Sequence, residues 1–320
     1  MEPSLPTPNI MRRLSKTAQA RGKTILKNGL ARVGLELRRL PSRGTSTTAG
    51  TSIRGELPPI FGDPFEALHF TRGGVAAAFH CPIAQVGLLN GLTFGQSGWN
   101  PFSKTATQIQ MDNRITYESS ILRKYYEIWQ PTDAAEAIIG LPVSCNSLKG
   151  IPSYLYSFVP WRALSIDAVA QGVWEWYLSD FHEHGFPALR IDVHGFKNHG
   201  PVTAELGEAE MTRLKNVLPL LAANGYDRHH GAIAVWLLKR GDEIRFINRG
   251  GLHRTAVMDA LGHETIPARF VEPAIVDIED VDYWPQVCMG TWTRDEALRY
   301  FNHLFDFETK NWAREQGLDE

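Results

Sequence analysis

Cysteine is scarce in this chain, and the positions of the few cysteines exclude two common uses of the residue. The 320 residues include three cysteines, Cys81, Cys145 and Cys288, and no two of them form a Cys-x-x-Cys pair. A disulfide framework requires paired cysteines, and a zinc knuckle requires them at short spacing. The sequence therefore predicts neither, and a reducing compartment is the simplest expectation.

Long apolar runs are also lacking. Although 43% of the residues are hydrophobic, no run reaches the roughly 18 residues that a transmembrane helix needs. The first residues are basic but lack the uninterrupted apolar core of a secretory signal. We therefore expect a cytoplasmic protein, with peripheral attachment to the inner face of the membrane as a variant of that location.

The net charge is close to zero, but it is unevenly distributed. The formal charge is −2 at pH 7. Residues 1–43 contain ten lysines and arginines and two acids, which leaves 23 basic and 33 acidic residues after position 43. A basic arm on an acidic body predicts an anionic partner for the arm.

The first 59 residues are expected to form that arm and a linker. Apolar residues recur in the arm at alternating steps of four and three, at Leu26, Leu30, Val33, Leu37 and Leu40. This stripe is typical of a helix that lies on an anionic membrane or docks on a partner. Gly29 and Gly34 weaken such a helix, so a partly ordered basic tail is the alternative. Residues 41–59 are rich in Ser, Thr, Gly and Pro and predict a flexible linker.

Residues 60–195 predict a mainly helical region whose role the sequence does not indicate. The pattern predicts a helix within residues 117–130, which Pro131 ends, and a short second helix from Ala134 to Ile139. An amphipathic helix is expected over residues 163–184.

From residue 196 to residue 275 the pattern becomes that of a small α/β unit. A helix over 205–224 ends at Asn224-Gly225, and another is expected over 252–261. A short apolar run predicts a buried strand over 232–238, and two further strands are expected over 243–248 and 265–271. Residues 276–320 add a C-terminal helical extension. The fold class expected is therefore α/β in the mixed α+β sense, with a small mixed sheet and helices plus the helical N-terminal region.

The junction between the second strand and its following helix is the strongest candidate site. Its sequence is Arg249-Gly250-Gly251-Leu252-His253-Arg254. Glycine lets the backbone approach an anion and adopt a positive φ, and the first helical turn presents unpaired N–H groups. Two basic residues there cost the helix roughly a few tenths of a kcal/mol unless an anion binds. The junction therefore predicts a phosphate site, and the alternative is a tight turn whose His and Arg bond to neighbouring backbone or acids.

The candidate phosphate-binding residues are the turn and its flanks. Asn248 and Arg249 lie at the exit of a strand, where open α/β units place ligand-binding side chains. The full set is Asn248, Arg249, Gly250, Gly251, His253, Arg254 and Thr255. No metal-ligating residues are predicted.

The stretch from Glu205 to Val271 resembles the ParB/sulfiredoxin-like superfamily. The resemblance depends on three pieces of pattern, which are the helix stop at 224–226, the Gly-x-His-Arg-x-Ala turn at 251–256 and Leu-Gly-x-x-x-Ile-Pro at 261–267. It implies a small mixed sheet with nucleotide phosphates bound at the turn.

Two departures narrow what the resemblance implies. Sulfiredoxins have a cysteine where this chain has Leu252, so their thiol chemistry is not expected. Partition proteins have a glutamate there and a DNA-binding domain after it, whereas about 50 residues follow the unit in this sequence. Chromosome partition is therefore not expected. Kinase-like members of the superfamily use an Arg/His turn for phosphate and add a glutamate as base.

The expected catalytic residues are Glu210, Glu205 and His253. Glu205, Glu208 and Glu210 lie in the helix before the strands, and one of them is the expected general base toward a substrate hydroxyl. Glu210 and Arg213 are three residues apart, so a surface ion pair is the alternative for that glutamate.

The function expected from these features is a nucleotide-dependent phosphotransferase that acts on a small-molecule hydroxyl. ATP or another nucleotide with Mg²⁺ would bind at the Gly250–Arg254 turn. One alternative is a non-catalytic nucleotide-gated binding module that attaches to an anionic membrane through residues 1–43. The other is a nucleic-acid-binding protein or nuclease, which the acidic body makes less favoured.

Overall fold

A six-stranded mixed sheet organises the described part of the chain. The computed structural model describes residues 57–141, 145–226 and 231–319, so the predictions for the basic arm, including its membrane contact, lie outside it. The strands are β1 Ile60–Phe61, β2 Ala78–Pro82, β3 Val86–Gly87, β4 Ile233–Arg240, β5 Glu243–Gly250 and β6 Thr265–Asp277, in the order β1-β2-β6-β4-β5-β3. The mixed α/β class expected from the sequence is confirmed.

The pairing of the strands joins distant parts of the chain. β4 and β5 form an antiparallel hairpin, and β6 is parallel to β4 and antiparallel to β2. The two-residue strands β1 and β3 pair in parallel with β2 and β5, respectively. The one sheet therefore contains strands from both sides of the domain boundary expected near residue 195.

The central strand β4 has apolar side chains on both faces. Val235 and Leu237 belong to one buried cluster, and Trp236 and Leu238 belong to a second. Because successive side chains of a strand point to opposite faces, the two clusters cover opposite sides of the sheet. A strand covered on both sides has a continuous apolar sequence instead of an alternating one, as this strand does.

Helices supply the outer layers. They are α1 Pro64–Arg72, α2 Pro101–Met111, α3 Ile121–Ile128, α4 Ile166–Glu183, α5 Ile191–His194, α6 Ala204–Asn224, α7 Leu252–Ala260, α8 Pro285–Cys288, α9 Arg294–Asp306 and α10 Thr309–Glu315. The predictions for α4, α6 and α7 are confirmed to within three residues at each end. No described helix combines the length and apolar character needed to cross a membrane.

One helix expected from the sequence does not form. Residues 134–139 form turns, because long-range hydrogen bonds hold both ends of the segment and the one at Ile139 takes an amide that a helix would use. The amide of Ala134 donates to the carbonyl of Ile151 (2.8 Å), and that of Ile139 donates to the carbonyl of Asn90 (2.9 Å). The prediction of a helix from Ala134 to Ile139 was therefore wrong.

Helix α6 contributes to both apolar clusters. Leu206 and Ala209 in its first half belong to the cluster with Trp236, whereas Met211 and Leu214 belong to the cluster with Val235. Its middle turn therefore lies where the two clusters meet, and this turn carries two buried charged residues.

The C-terminal helix α10 packs against residues that precede it by about 200 positions. Trp312 lies edge-on to Trp99 and Trp129, with ring centroids 5.9 and 5.5 Å apart. The hydroxyl of Thr309 lies 2.6 Å from that of Thr93 and accepts a hydrogen bond from the amide of Trp99 (3.0 Å). These contacts fix α10 against the loop that precedes α2.

Candidate functional site

A cavity of about 640 Å³ lies where the end of β5 meets α4, α6 and α7. The described residues that line it include five cationic side chains, Arg162, Lys197, Arg213, Arg249 and Arg254, and one carboxylate, Asp180. Acids outnumber bases after residue 43, so this concentration of positive charge is local. A cationic cavity on an acidic body favours an anionic ligand.

The glycine turn forms one wall of this cavity. Gly251 is the residue before α7 and has a φ of 91°, and no side chain of the described residues caps the helix there. A β-carbon at Gly251 would lie 2.8 Å from Cγ2 of Ile233, so glycine is required for space as well as for conformation. The first amide of α7 that bonds within the turn is that of Thr255, to the carbonyl of Gly251 (3.0 Å). The amides of residues 252–254 precede it and are available to an anion.

Hydrogen bonds of the Asn248 and Thr255 side chains stabilise the turn. The Asn248 amide donates to the Thr255 hydroxyl (3.0 Å), which donates to the carbonyl of Gly251 (3.1 Å). Thr255 is completely buried, whereas Asn248 also lines the cavity. Thr255 therefore holds the turn, and only Asn248 of the two borders the ligand space.

The side chain of Arg254 is tied to the protein. Its Nη1 donates to the hydroxyl of Tyr226 and to the carbonyl of Gly231, each at 2.8 Å, and its guanidinium carbon lies 5.7 Å from the Tyr226 ring centroid. The structure thus places Arg254 at the cavity wall, but with contacts that fit the alternative predicted for it, a side chain bonded to its neighbours.

His253 and Glu210 form a buried pair beside the turn. Nε2 of His253 lies 2.8 Å from Oε2 of Glu210, whose Oε1 accepts a hydrogen bond from Nη1 of Arg213 (3.0 Å). A carboxylate only accepts hydrogen bonds, so Nε2 carries the proton and Nδ1 has the free lone pair. No described residue hydrogen-bonds to that Nδ1, and His253 lines the cavity. The Phe102 ring packs edge-on against the imidazole at 5.4 Å.

The pair continues into a chain of buried charges. Arg213 donates to both oxygens of Asp180 (2.8 and 3.1 Å), and Lys197 donates to Oδ2 of the same carboxylate (2.7 Å). Lys197 is 3% exposed and its Nζ lies 4.4 Å from the centroid of the Trp176 ring. Positive and negative side chains alternate in this series, in the order Lys197, Asp180, Arg213, Glu210. The alternation offsets the cost of burying the charges.

The pKa shifts follow from burial and these neighbours. Burial opposes the ionisation of Glu210, but the hydrogen bond and charge of His253 and the charge of Arg213 outweigh it and lower the pKa of Glu210 to about 2. Burial lowers the pKa of His253 to about 4, despite the opposing effect of Glu210. Burial alone would raise the pKa of Asp180, but the charges and hydrogen bonds of Lys197 and Arg213 outweigh this effect. The pKa of Asp180 is therefore well below its usual value. At neutral pH the cavity therefore contains a neutral histidine whose ring is oriented by a buried carboxylate.

Arg249 lies over the indole of Trp236, with its guanidinium carbon 4.2 Å from the ring centroid. Burial and the nearby charge of Arg162 lower its pKa to about 10. It lines the cavity, as the sequence predicted for a residue at the exit of a strand.

Glu205 lies away from this assembly. Its carboxyl is exposed in the first turn of α6, where its own backbone amide and Thr203 lower its pKa. Five residues separate it from Glu210, a rotation of roughly 140° around an α-helix, so the two side chains face different directions. Glu208 is exposed as well. The structure thus brings together Glu210 and His253 and leaves the other two candidates outside.

Four residues of the site were not predicted as site residues, namely Arg162, Asp180, Lys197 and Arg213, of which Arg213 was expected only as an ion-pair partner of Glu210. Asp180 did have a detectable signal, because it lies beside Phe181 and three residues after Tyr177, both of which are buried in α4. An acid on a buried helical face requires a partner. Arg162 and Lys197 lie outside helices and strands, and their local sequence gives no comparable signal.

The described residues contain no group of three or more His, Cys, Asp or Glu side chains that could hold a metal ion. The chain matches no protein-family model, no curated protein and no solved structure.

Proposed function

We propose that the chain is a phosphotransferase that binds nucleotide phosphates at the Gly250–His253 turn and acts on a small-molecule hydroxyl. One observation carries the proposal. A helix N-terminus with available amides lies in a cationic cavity beside a neutral histidine whose ring a buried carboxylate holds. Phosphoryl transfer requires mainly positioning and charge neutralisation, which this arrangement supplies.

The residues fit the phosphates better than they fit a metal. The amides of residues 252–254 and the cationic wall suit phosphate oxygens. The carboxylate that lines the cavity, Asp180, is already bound by Lys197 and Arg213. Mg²⁺ commonly keeps several waters and binds through substrate phosphates, so we propose that it enters with the nucleotide, which supplies the phosphoryl group.

His253 takes the role of general base in this proposal. Its Nδ1 accepts the proton of the acceptor hydroxyl, while Nε2 stays bonded to Glu210. Glu210 is completely buried and both its oxygens accept hydrogen bonds, so it positions His253 and stabilises the imidazolium. The expectation of a glutamate base is thus replaced by a histidine base that a glutamate orients.

The ParB/sulfiredoxin-like fold remains part of the proposal. The order α6, β4, β5, α7, β6, with a glycine turn between β5 and α7, supports it. The resemblance implied a small mixed sheet with nucleotide phosphates bound at the turn, and this order of elements is compatible with that expectation.

The test is nucleotide binding and turnover by the full chain. Calorimetric titration with ATP, ADP and CTP in the presence of Mg²⁺ measures binding, and release of the nucleoside diphosphate with a panel of hydroxyl compounds measures turnover. His253→Gln keeps a donor toward Glu210 and removes the base. We expect it to bind nucleotide as wild type does and to lose about 10²–10⁴-fold in turnover.

The matched control is Glu205→Gln, which changes an exposed glutamate of the same helix and should leave both measurements unchanged. The proposal fails if the wild-type chain binds none of the three nucleotides. Binding without turnover by any acceptor would instead favour the non-catalytic binding module.

A further inference from the structure

Two arginines of the cavity share one aromatic platform. The guanidinium carbons of Arg249 and Arg162 lie 4.2 and 5.7 Å, respectively, from the ring centroid of Trp236. The indole is 1% exposed, and its Nε1 donates to the carbonyl of Glu272 (3.0 Å), so the ring is fixed. Both cations therefore contact one rigid indole, and they lie close enough for the charge of Arg162 to lower the pKa of Arg249.

Neither guanidinium has a hydrogen bond or ion pair with any residue that the structure describes. Other arginines that lie over aromatic rings differ in this respect, since Arg213 binds Asp180 and Glu210, and Arg240 binds Glu243 and Asp306. The guanidinium nitrogens of Arg162 and Arg249 are accessible, because both residues line the cavity. None of these nitrogens is a fully buried atom without a partner. The unused donors thus open into the ligand space.

The described residues that line the cavity provide no free counter-ion for these two cations. Asp180 is the carboxylate among the described lining residues, and Lys197 and Arg213 occupy it. Burial lowers the pKa of both arginines, and the charge of Arg162 lowers the pKa of Arg249 further. Such a pair is unfavourable alone and becomes favourable when an oxyanion binds between the two forks.

The arginine pair is distinct from the glycine turn. Successive residues of β5 point to opposite faces, so Asn248 reaches Thr255 behind the turn while Arg249 reaches Trp236. Trp236 belongs to one apolar cluster, whereas Phe102 beside His253 belongs to the other. One cavity therefore has two separate cationic positions, and a volume of about 640 Å³ is sufficient for two small ligands or one larger one.

We infer that Arg162 and Arg249 bind an oxyanion group of the acceptor substrate, so that the acceptor is a hydroxyl compound that also carries a carboxylate or a phosphate ester. This inference deepens the proposed function and rests on it for the role of the acceptor, but the anion site itself stands on the arginine pair. The acceptor's anion binds to the two guanidinium groups beside Trp236, and its hydroxyl points toward Nδ1 of His253.

The experiment titrates the full chain, without nucleotide, with inorganic phosphate and separately with citrate, by calorimetry. The two probes distinguish a phosphate ester from a carboxylate as the preferred group. The variants are Arg162→Gln and Arg249→Gln. The matched control is Arg245→Gln, because Arg245 is on the same strand, lies 5.9 Å from the ring centroid of Phe305 and does not line the cavity.

We expect wild type and the Arg245 variant to bind at least one of the two anions equally well, and both cavity variants to bind at least tenfold more weakly. If phosphate binds at the α7 turn instead, both cavity variants will bind it as tightly as wild type does. That result would overturn the inference. So would a wild type that binds neither anion. Arg162→Gln should still bind ATP at the turn, so loss of the anion site and failure of nucleotide binding give different results.

Thermal denaturation of the same variants tests the inference even if a variant is too unstable for calorimetric titration. Removal of a structural arginine lowers the melting temperature in every buffer. Removal of an unpaired cation relieves repulsion, so both cavity variants should melt no lower than wild type in anion-free buffer and should lose the stabilisation that phosphate or citrate confers on wild type. A lower melting temperature with that stabilisation retained would contradict the inference.

Discussion

Replacing Glu210 by glutamine tests the buried pair most directly. Glutamine has the shape of glutamate, but it has one acceptor oxygen and one donor group. The carboxylate of Glu210 accepts from Nη1 of Arg213 and from Nε2 of His253, at 3.0 and 2.8 Å. The amide can accept from only one of them. If its oxygen stays with Arg213, His253 must shift its proton to Nδ1 and accept at Nε2.

The cost of this change follows from the burial of the group. Glu210 is 0% exposed, and removal of one partner from a buried ion pair costs about 3–5 kcal/mol. Because the glutamine retains one or both hydrogen bonds, we expect the lower end, about 3 kcal/mol of unfolding free energy. For a domain of about this size, 1 kcal/mol corresponds to about 2–4 °C, so the melting temperature should fall by about 6–12 °C.

The same substitution removes the lone pair on Nδ1, so turnover should fall by about 10²–10⁴-fold. The assay is thermal denaturation followed by circular dichroism at pH 7, together with turnover at a temperature where the variant is folded. Glu205→Gln is the control, because its carboxyl is exposed. If Glu210→Gln melts with wild type, or if Glu205→Gln is the variant that loses activity, the reasoning about this pair is refuted.

Three further predictions concern the protonation of the same pair, the glycine turn and helix α10. The melting temperature should fall as the pH decreases from 7 to 4. Folding lowers the pKa of His253 from 6.5 to about 4 and that of Glu210 from 4.5 to about 2, so the unfolded chain binds more protons in this range. A melting temperature that does not change with pH would contradict these shifts. Gly251→Ala should lower the unfolding free energy by about 1–3 kcal/mol and weaken nucleotide binding, because of the positive φ and the 2.8 Å approach to Ile233; calorimetry equal to wild type would show that the turn tolerates a β-carbon. Trp312→Ala should cost about 3–5 kcal/mol in urea denaturation, since it removes a buried indole from an aromatic cluster; a cost typical of surface residues would show that α10 is not part of the core.

The elements predicted best from the sequence are those with strong local signals. Helix α6 is followed by Gly225 with a φ of 64°, and α7 is followed closely by Gly262 with a φ of 78°. The strands β4 and β5 have apolar runs on either side of a turn at Gly241. Each of these features acts over a few residues, so the amino-acid pattern is sufficient to detect it.

The parts that the sequence did not predict depend on distant contacts. The strands Ile60–Phe61 and Val86–Gly87 are too short to show any periodicity, and only their partners in the sheet make them strands. In the site, the turn, His253 and Glu210 could be identified from local pattern. The partners Asp180 and Lys197 come from other segments, and only tertiary structure places them beside Arg213.

The packing of α10 has a consequence for protein synthesis. The hydroxyls of Thr93 and Thr309 are 216 residues apart in the chain, and the amide of Trp99 needs the same Thr309 oxygen. At a translation rate of roughly 5–20 residues per second, the loop before α2 leaves the ribosome many seconds before its partner exists. During that interval the binding surface for Trp312 is uncovered, so nascent chains stalled before residue 309 should bind chaperones that recognise exposed aromatic surface, and chains extended past residue 319 should not.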